Sequence, residues 1–209
     1  MKFSDIYVVF SVYYFTILRY NCVYMEKNNG AAKRIAADAL FAALGLIVFL
    51  IENLFPPLFI PGAKMGLSNI FSLAALILYG PVDAFAVICV RTVLGALFAG
   101  NISALMYSLS GGIVSMAVSA ALLYLVYPRI SVMAVSITAA VAHNIVQNLV
   151  FVALSGTALS FSYMPYLALI GVLAGAIVGG AVMLIFKRVP LSVYERALGS
   201  GRGDPENNE

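Results

Sequence analysis

The chain has 209 residues, 63% of them hydrophobic and only 10% charged, with a formal net charge of +3 and a mean hydropathy of +1.00. A soluble domain carries about 25% charged residues, so there is too little polar sequence to coat a globule, and lipid must solvate most of the surface. The small positive charge fits membrane topology rather than nucleic-acid binding, and Cys22 and Cys89 sit far apart in apolar stretches, without the spacing of a disulfide framework or a zinc site.

In chain order, residues 1–24 read as a start-site extension or a loosely ordered segment. Their apolar stretch, Ile6 to Leu18, is shorter than the roughly 20 residues of a spanning helix, and a seventh membrane helix is the alternative. From Met25 onward the pattern is regular. A first span covers Ile35 to Phe55 and stops at Pro56-Pro57, and a loop from Leu58 to Lys64 leads to a second, Leu67 to Tyr79. Gly80-Pro81 breaks into a third, Val82 to Ala99, and Gly100-Asn101 turns into a fourth, Ser103 to Tyr127. Pro128-Arg129 precedes a fifth, Val132 to Leu154, and a sixth covers Met164 to Phe186. The second and third are short, as expected of tilted or partly buried helices. The expected fold is therefore all-α: a polytopic membrane bundle of about six transmembrane helices over residues 25–188. A polar, disordered tail follows over 189–209.

Basic residues orient the bundle. Lys27, Lys33, Arg34, Arg129, Lys187, Arg188, Arg196 and Arg202 fall on one side of six spans, and the opposite loops carry only Lys64. The positive-inside rule then places both termini in the cytoplasm, in a multi-pass plasma-membrane protein.

Polar groups inside a membrane are costly and face the bundle interior or a water-filled cavity. Those present are Glu52-Asn53, Asn69, Arg91, Asn101, the group Tyr107, Ser108 and Ser110, and the group His143, Asn144, Gln147 and Asn148, mostly in the outer half of the bilayer. His143/Gln147 and Asn144/Asn148 are i, i+4 pairs and share a helix face. Such a stripe either glues helices through hydrogen bonds or lines a ligand cavity. Arg91 either pairs with Glu52 or supplies a charge for an anionic ligand. In Gly62-Ala63-Lys64-Met65-Gly66 a lysine sits in a glycine-rich turn at a helix N-terminus. That turn either binds an anion or is a tight turn from which Lys64 snorkels to the interface.

Gly171, Gly175 and Gly179 recur every four residues, followed by Gly180, as a close-packing helix face. Ala32/Ala36 and Ala39/Ala43 are small-residue pairs on the first helix, suited to ordinary packing or to docking a separate membrane partner. No DDxxD, GxSxG or Walker motif is present, and the four aspartates, at 5, 38, 83 and 204, are scattered. The sole histidine lacks companions for a metal or haem site. No catalytic residue, metal or cofactor is therefore expected.

Four strings, Pro61-Gly62-Ala63-Lys64-Met65-Gly66-Leu67-Ser68-Asn69-Ile70, Arg91-Thr92-Val93-Leu94-Gly95-Ala96-Leu97-Phe98-Ala99-Gly100-Asn101, Tyr107-Ser108-Leu109-Ser110-Gly111-Gly112 and Ala142-His143-Asn144-Ile145-Val146-Gln147, resemble the Gx transporter family. That family is also labelled heptaprenyl diphosphate synthase component I. The resemblance covers about Ile35 to Phe186 and departs at Val146, where a glycine is expected. It implies a six-helix bundle similar to the substrate-binding S components of energy-coupling factor transporters, needing a separate transmembrane coupling subunit with ATPases that could dock on the alanine face. The candidate ligand residues are then Glu52, Lys64, Asn69, Arg91, Asn101, Tyr107, Ser108, His143, Asn144 and Gln147. The synthase label implies instead a non-catalytic accessory subunit beside a soluble prenyl diphosphate synthase in menaquinone side-chain supply. Relatives in quinol-linked extracellular electron transfer leave a redox accessory role open.

Overall fold

The computed structural model describes residues 31–54, 66–100, 102–127, 129–156 and 158–188. The expectations for residues 1–24, for the tail, and for Lys64 and Asn101 lie outside them. The described secondary structure is entirely helical: α1 Ala31–Leu54, α2 Asn69–Leu78, α3 Pro81–Ala99, α4 Ile102–Leu125, α5 Val132–Ser155, a 3-10 segment Ala158–Tyr163, and α6 Met164–Arg188. The breaks follow local chemistry. Gly80, at φ 102°, holds a backbone that residues with a Cβ avoid, and Pro81 opens α3 at a position whose N–H has no helical partner. Ser131 caps α5, its hydroxyl accepting from the Ala134 N–H at 3.1 Å.

Five of the helices are long and apolar enough to cross a membrane. Of the two spans expected to be short, only α2 is: its 10 residues rise about 15 Å, half the hydrocarbon core, whereas the 19 residues of α3 reach across it. α2 is instead the centre of the bundle. Ser72 through Ile77 are all buried, against α1, α3, α4 and α6. Protein rather than lipid surrounds it, so its uniform apolarity needs no amphipathic stripe.

The pairings define the course of the chain. α1 and α3 run parallel, Gly45 facing Arg91 and Gly95 facing Phe49, so the segment through α2 must return the chain between them. α4 runs antiparallel to α3, with Gly112 on Ile88 and Gly80 near Tyr124, and α5 returns along α4, with Gly111 on His143. α6 then lies antiparallel along α5. Gly171, Gly175 and Gly179 meet the backbones of Val141, Ile137 and Met133, so the glycine face packs inside the bundle. The alternation brings Arg34, Arg129, Lys187 and Arg188 to one end. Ala32, Ala36, Ala39 and Ala43 are all exposed, while Ala42, Gly45 and Phe49 on the other side of α1 are buried. The described bundle does not use the alanine face for its own packing.

Candidate functional site

Arg91 sits near the middle of α3 and is only 5% exposed. Its stem crosses Gly45 of α1, where even a methyl group would lie 2.8 Å from Arg91 Cδ. The guanidinium is directed along the bundle toward α2, and Nη2 donates to Asn69 Oδ1 at 3.1 Å. Nε and Nη1 are buried without a hydrogen-bond partner. The charge of Glu52 reaches Arg91, yet no ion pair joins them. Glu52 Oε1 instead accepts from the Leu67 N–H at 2.8 Å, at the start of α2. Of the two roles open to Arg91 from the sequence, contact pairing with Glu52 is not what the structure contains.

Asn69 joins this arginine to a cavity of about 40 Å³. Its walls come from α2, α3, α4, α5 and α6 and include Ser72, Ser115, Ser119, Ser136, His143 and Asn144. The volume accommodates roughly three water molecules. All four serines are buried, and Ser72 Oγ has no hydrogen-bond partner. Ser115 and Ser119 lie beyond the midpoint of α4, so the cavity reaches past the middle of the bundle toward the end that carries Arg34 and Lys187. Gly66 at the opposite edge of the cavity, at φ 66°, brings the turn before α2 onto Asn69 Nδ2.

The polar stripe of α5 divides between helix fastening and the wall of the cavity. Asn144 Nδ2 donates to the Leu167 carbonyl at 2.9 Å and Asn148 Nδ2 to the Ser160 carbonyl at 3.0 Å, both fastening α5 to the chain that follows. His143 turns toward α4, against Gly111, and lines the cavity; Asn144 borders it as well. Gln147 is buried but is not part of the cavity wall. Neither Tyr107 nor Ser108 lines it; the Tyr107 ring packs edge-on against Phe151, and Ser110 donates to the Tyr107 carbonyl of its own helix.

The sequence reading missed two groups. The four cavity serines are unremarkable in a hydrophobic helix, and only the i, i+4 spacing of Ser115 and Ser119 marks a common face. At the basic end, Arg34 Nε donates to Asp83 Oδ1 at 2.9 Å and Nη2 to the Tyr79 carbonyl at 3.1 Å and to Asp83 Oδ2, with the Asp38 carboxyl beside Asp83. Among the described residues no three of His, Cys, Asp and Glu gather to hold a metal. Arg91 is thus joined through Asn69 to a cavity whose wall mixes serine, histidine and asparagine side chains with apolar ones.

Residues 41–185 match the family model described as heptaprenyl diphosphate synthase component I. No curated protein and no solved structure matches the chain.

Proposed function

The chain belongs to the heptaprenyl diphosphate synthase component I family, and from that premise we propose that it is a membrane-embedded substrate-binding component that holds a small anionic molecule at Arg91. The observation that carries this reading is the buried guanidinium with two nitrogens lacking a partner. A cation in a low-dielectric interior is expensive to leave in that state, and an oxyanion supplies both the missing hydrogen bonds and the countercharge. Asn69 accepts from the arginine and lines a cavity that His143 and Asn144 also border. Lys64 and Asn101, in the adjoining turns of the sequence, are proposed for the outer mouth. Movement of the ligand across the membrane would need a separate energising module, a transmembrane coupling subunit with ATPases, docked on the exposed alanine face of α1. The basic end of the bundle would face the cytoplasm, with both termini there.

Native mass spectrometry of the detergent-purified chain tests this reading. The wild type should retain a small anion that Arg91→Gln loses; retention by both would exclude Arg91 as its holder.

The family description supports a second reading, a non-catalytic membrane subunit working beside a prenyl diphosphate synthase. Deletion should then alter quinone side-chain content, and unchanged quinones would reject it.

A further inference from the structure

Resting on the anion-binding reading of Arg91, we infer that α1 is a lid over that arginine. It hinges where Arg34 meets Asp83 and opens at its Glu52 end. Nε and Nη1 of Arg91 are buried and have no partner among the described residues, so a ligand reaches them only after something moves. α1, α2 and α3 meet around this side chain, and α3 carries it. α2 receives the guanidinium at Asn69, but Ser72 to Ile77 of α2 are buried at the centre of the bundle, and displacing them would break the core. α1 is the helix free to move. It is the least enclosed of the five described spans, packs chiefly on α2 and α3, and leaves Leu40, Ile47 and Ile51 exposed on its other side.

The seam between α1 and α3 is built to part. Where α5 and α6 meet, backbone presses on backbone, as Gly175 does on Ile137. Here each helix instead offers a glycine notch to a side chain of the other. A Cβ on Gly45 would lie 2.8 Å from Arg91 Cδ, and one on Gly95 would lie 2.6 Å from Phe49 Cε1. Gly45 and Phe49, like Arg91 and Gly95, are i, i+4 pairs, so the two notches stack along facing stripes. In lipid no hydrophobic force holds such a seam, only packing and polar contacts. Those polar contacts differ at the two ends. At one, Arg34 reaches both Asp83 carboxylate oxygens and the Tyr79 carbonyl, a charge-assisted anchor at the junction of α2 and α3. At the other, Glu52 accepts from a neutral backbone donor, the Leu67 N–H. A swing about the Arg34 anchor withdraws Phe49 from Gly95 and Gly45 from Arg91, uncovering the guanidinium while α2 stays in place.

The experiment follows modification of Arg91 by phenylglyoxal, a dicarbonyl that condenses with accessible guanidinium groups. The full chain is held in lipid nanodiscs, and peptide mass spectrometry reads the rate. Wild-type Arg91 should react, more slowly than the exposed Arg129. Phe49→Ala should speed the reaction about tenfold, because the ring packs only in the closed seam. Met116→Ala, which widens the cavity instead, should leave the rate unchanged. A wild-type Arg91 that never reacts, a Phe49→Ala rate equal to wild type, or equal acceleration by Met116→Ala overturns the inference. A second measurement leaves the seam intact. With Cys22 and Cys89 replaced by serine, spin labels on the exposed positions Ile51→Cys and Leu97→Cys should move apart once Arg91 is modified. Labels on Ile35→Cys and Val82→Cys, at the Arg34 end, should keep their separation. Equal shifts at both ends, or none at either, overturn the hinge. The anion-binding reading fails separately, when wild type and Arg91→Gln retain the same small molecules, and that outcome leaves the reactivity of Arg91 as stated.

Discussion

Gly175 of α6 approaches Ile137 of α5 so closely that a Cβ on the glycine would lie 2.5 Å from Ile137 Cα. The obstacle is backbone, which cannot swing aside as a side chain can. Gly175→Ala should therefore separate the two helices and cost about 1–3 kcal/mol, read as a lowered unfolding midpoint in mixed micelles. Gly180→Ala, whose added methyl would meet only the end of Met133 at 3.8 Å, should be near neutral. Equal effects at the two positions would contradict this packing.

Glu52 holds the turn before the central helix through the Leu67 N–H and also places a negative charge near Arg91. The two effects are separable. Glu52→Ala removes the acceptor of the Leu67 N–H and should destabilise by about 1–3 kcal/mol. Glu52→Gln keeps an acceptor oxygen but removes the charge that competes with an anion for the guanidinium, so it should tighten anion binding. A titration of both variants with propionate checks the sign.

Arg34 holds two elements together, donating to Asp83 at the start of α3 and to the Tyr79 carbonyl after α2. Arg34→Ala strands the largely buried Asp83 carboxylate beside Asp38, at a cost of about 3 kcal/mol. Adding Asp83→Asn should recover part of that loss. A double-mutant cycle in denaturant measures the coupling, and strict additivity would argue against it.

The alanine face of α1 makes a different forecast. Ala36→Leu and Ala39→Leu lie on an exposed surface and should change the stability of the isolated chain by less than about 0.5 kcal/mol. If α1 docks a coupling subunit there, the same substitutions should abolish its co-purification. A loss of stability in the isolated chain would instead assign this face to packing.

The helix pattern and its breaks were legible because the physics is local. Lipid demands long apolar runs with internally satisfied backbones, and Gly80-Pro81, Gly100 and Pro128 interrupt such runs wherever they occur. The period of four at Gly171, Gly175 and Gly179 announced a close helix contact, though not which helix would supply it. Arg91 stood out because its charge is anomalous in any membrane helix.

The sequence by itself determined an all-helical, multi-pass chain with a buried charge to accommodate. Only the tertiary structure decided that α2 forms the centre, that Arg91 meets Asn69 rather than pairing with Glu52, and that the Asn144 and Asn148 amide donors fasten helices together. The cavity serines show the physical reason. A serine in a membrane helix can satisfy its hydroxyl on its own backbone and face lipid at little cost, so Ser72, Ser115, Ser119 and Ser136 carry no signal singly. They acquire meaning when the packing of the bundle turns them toward one cavity, which Asn69 joins to the buried arginine.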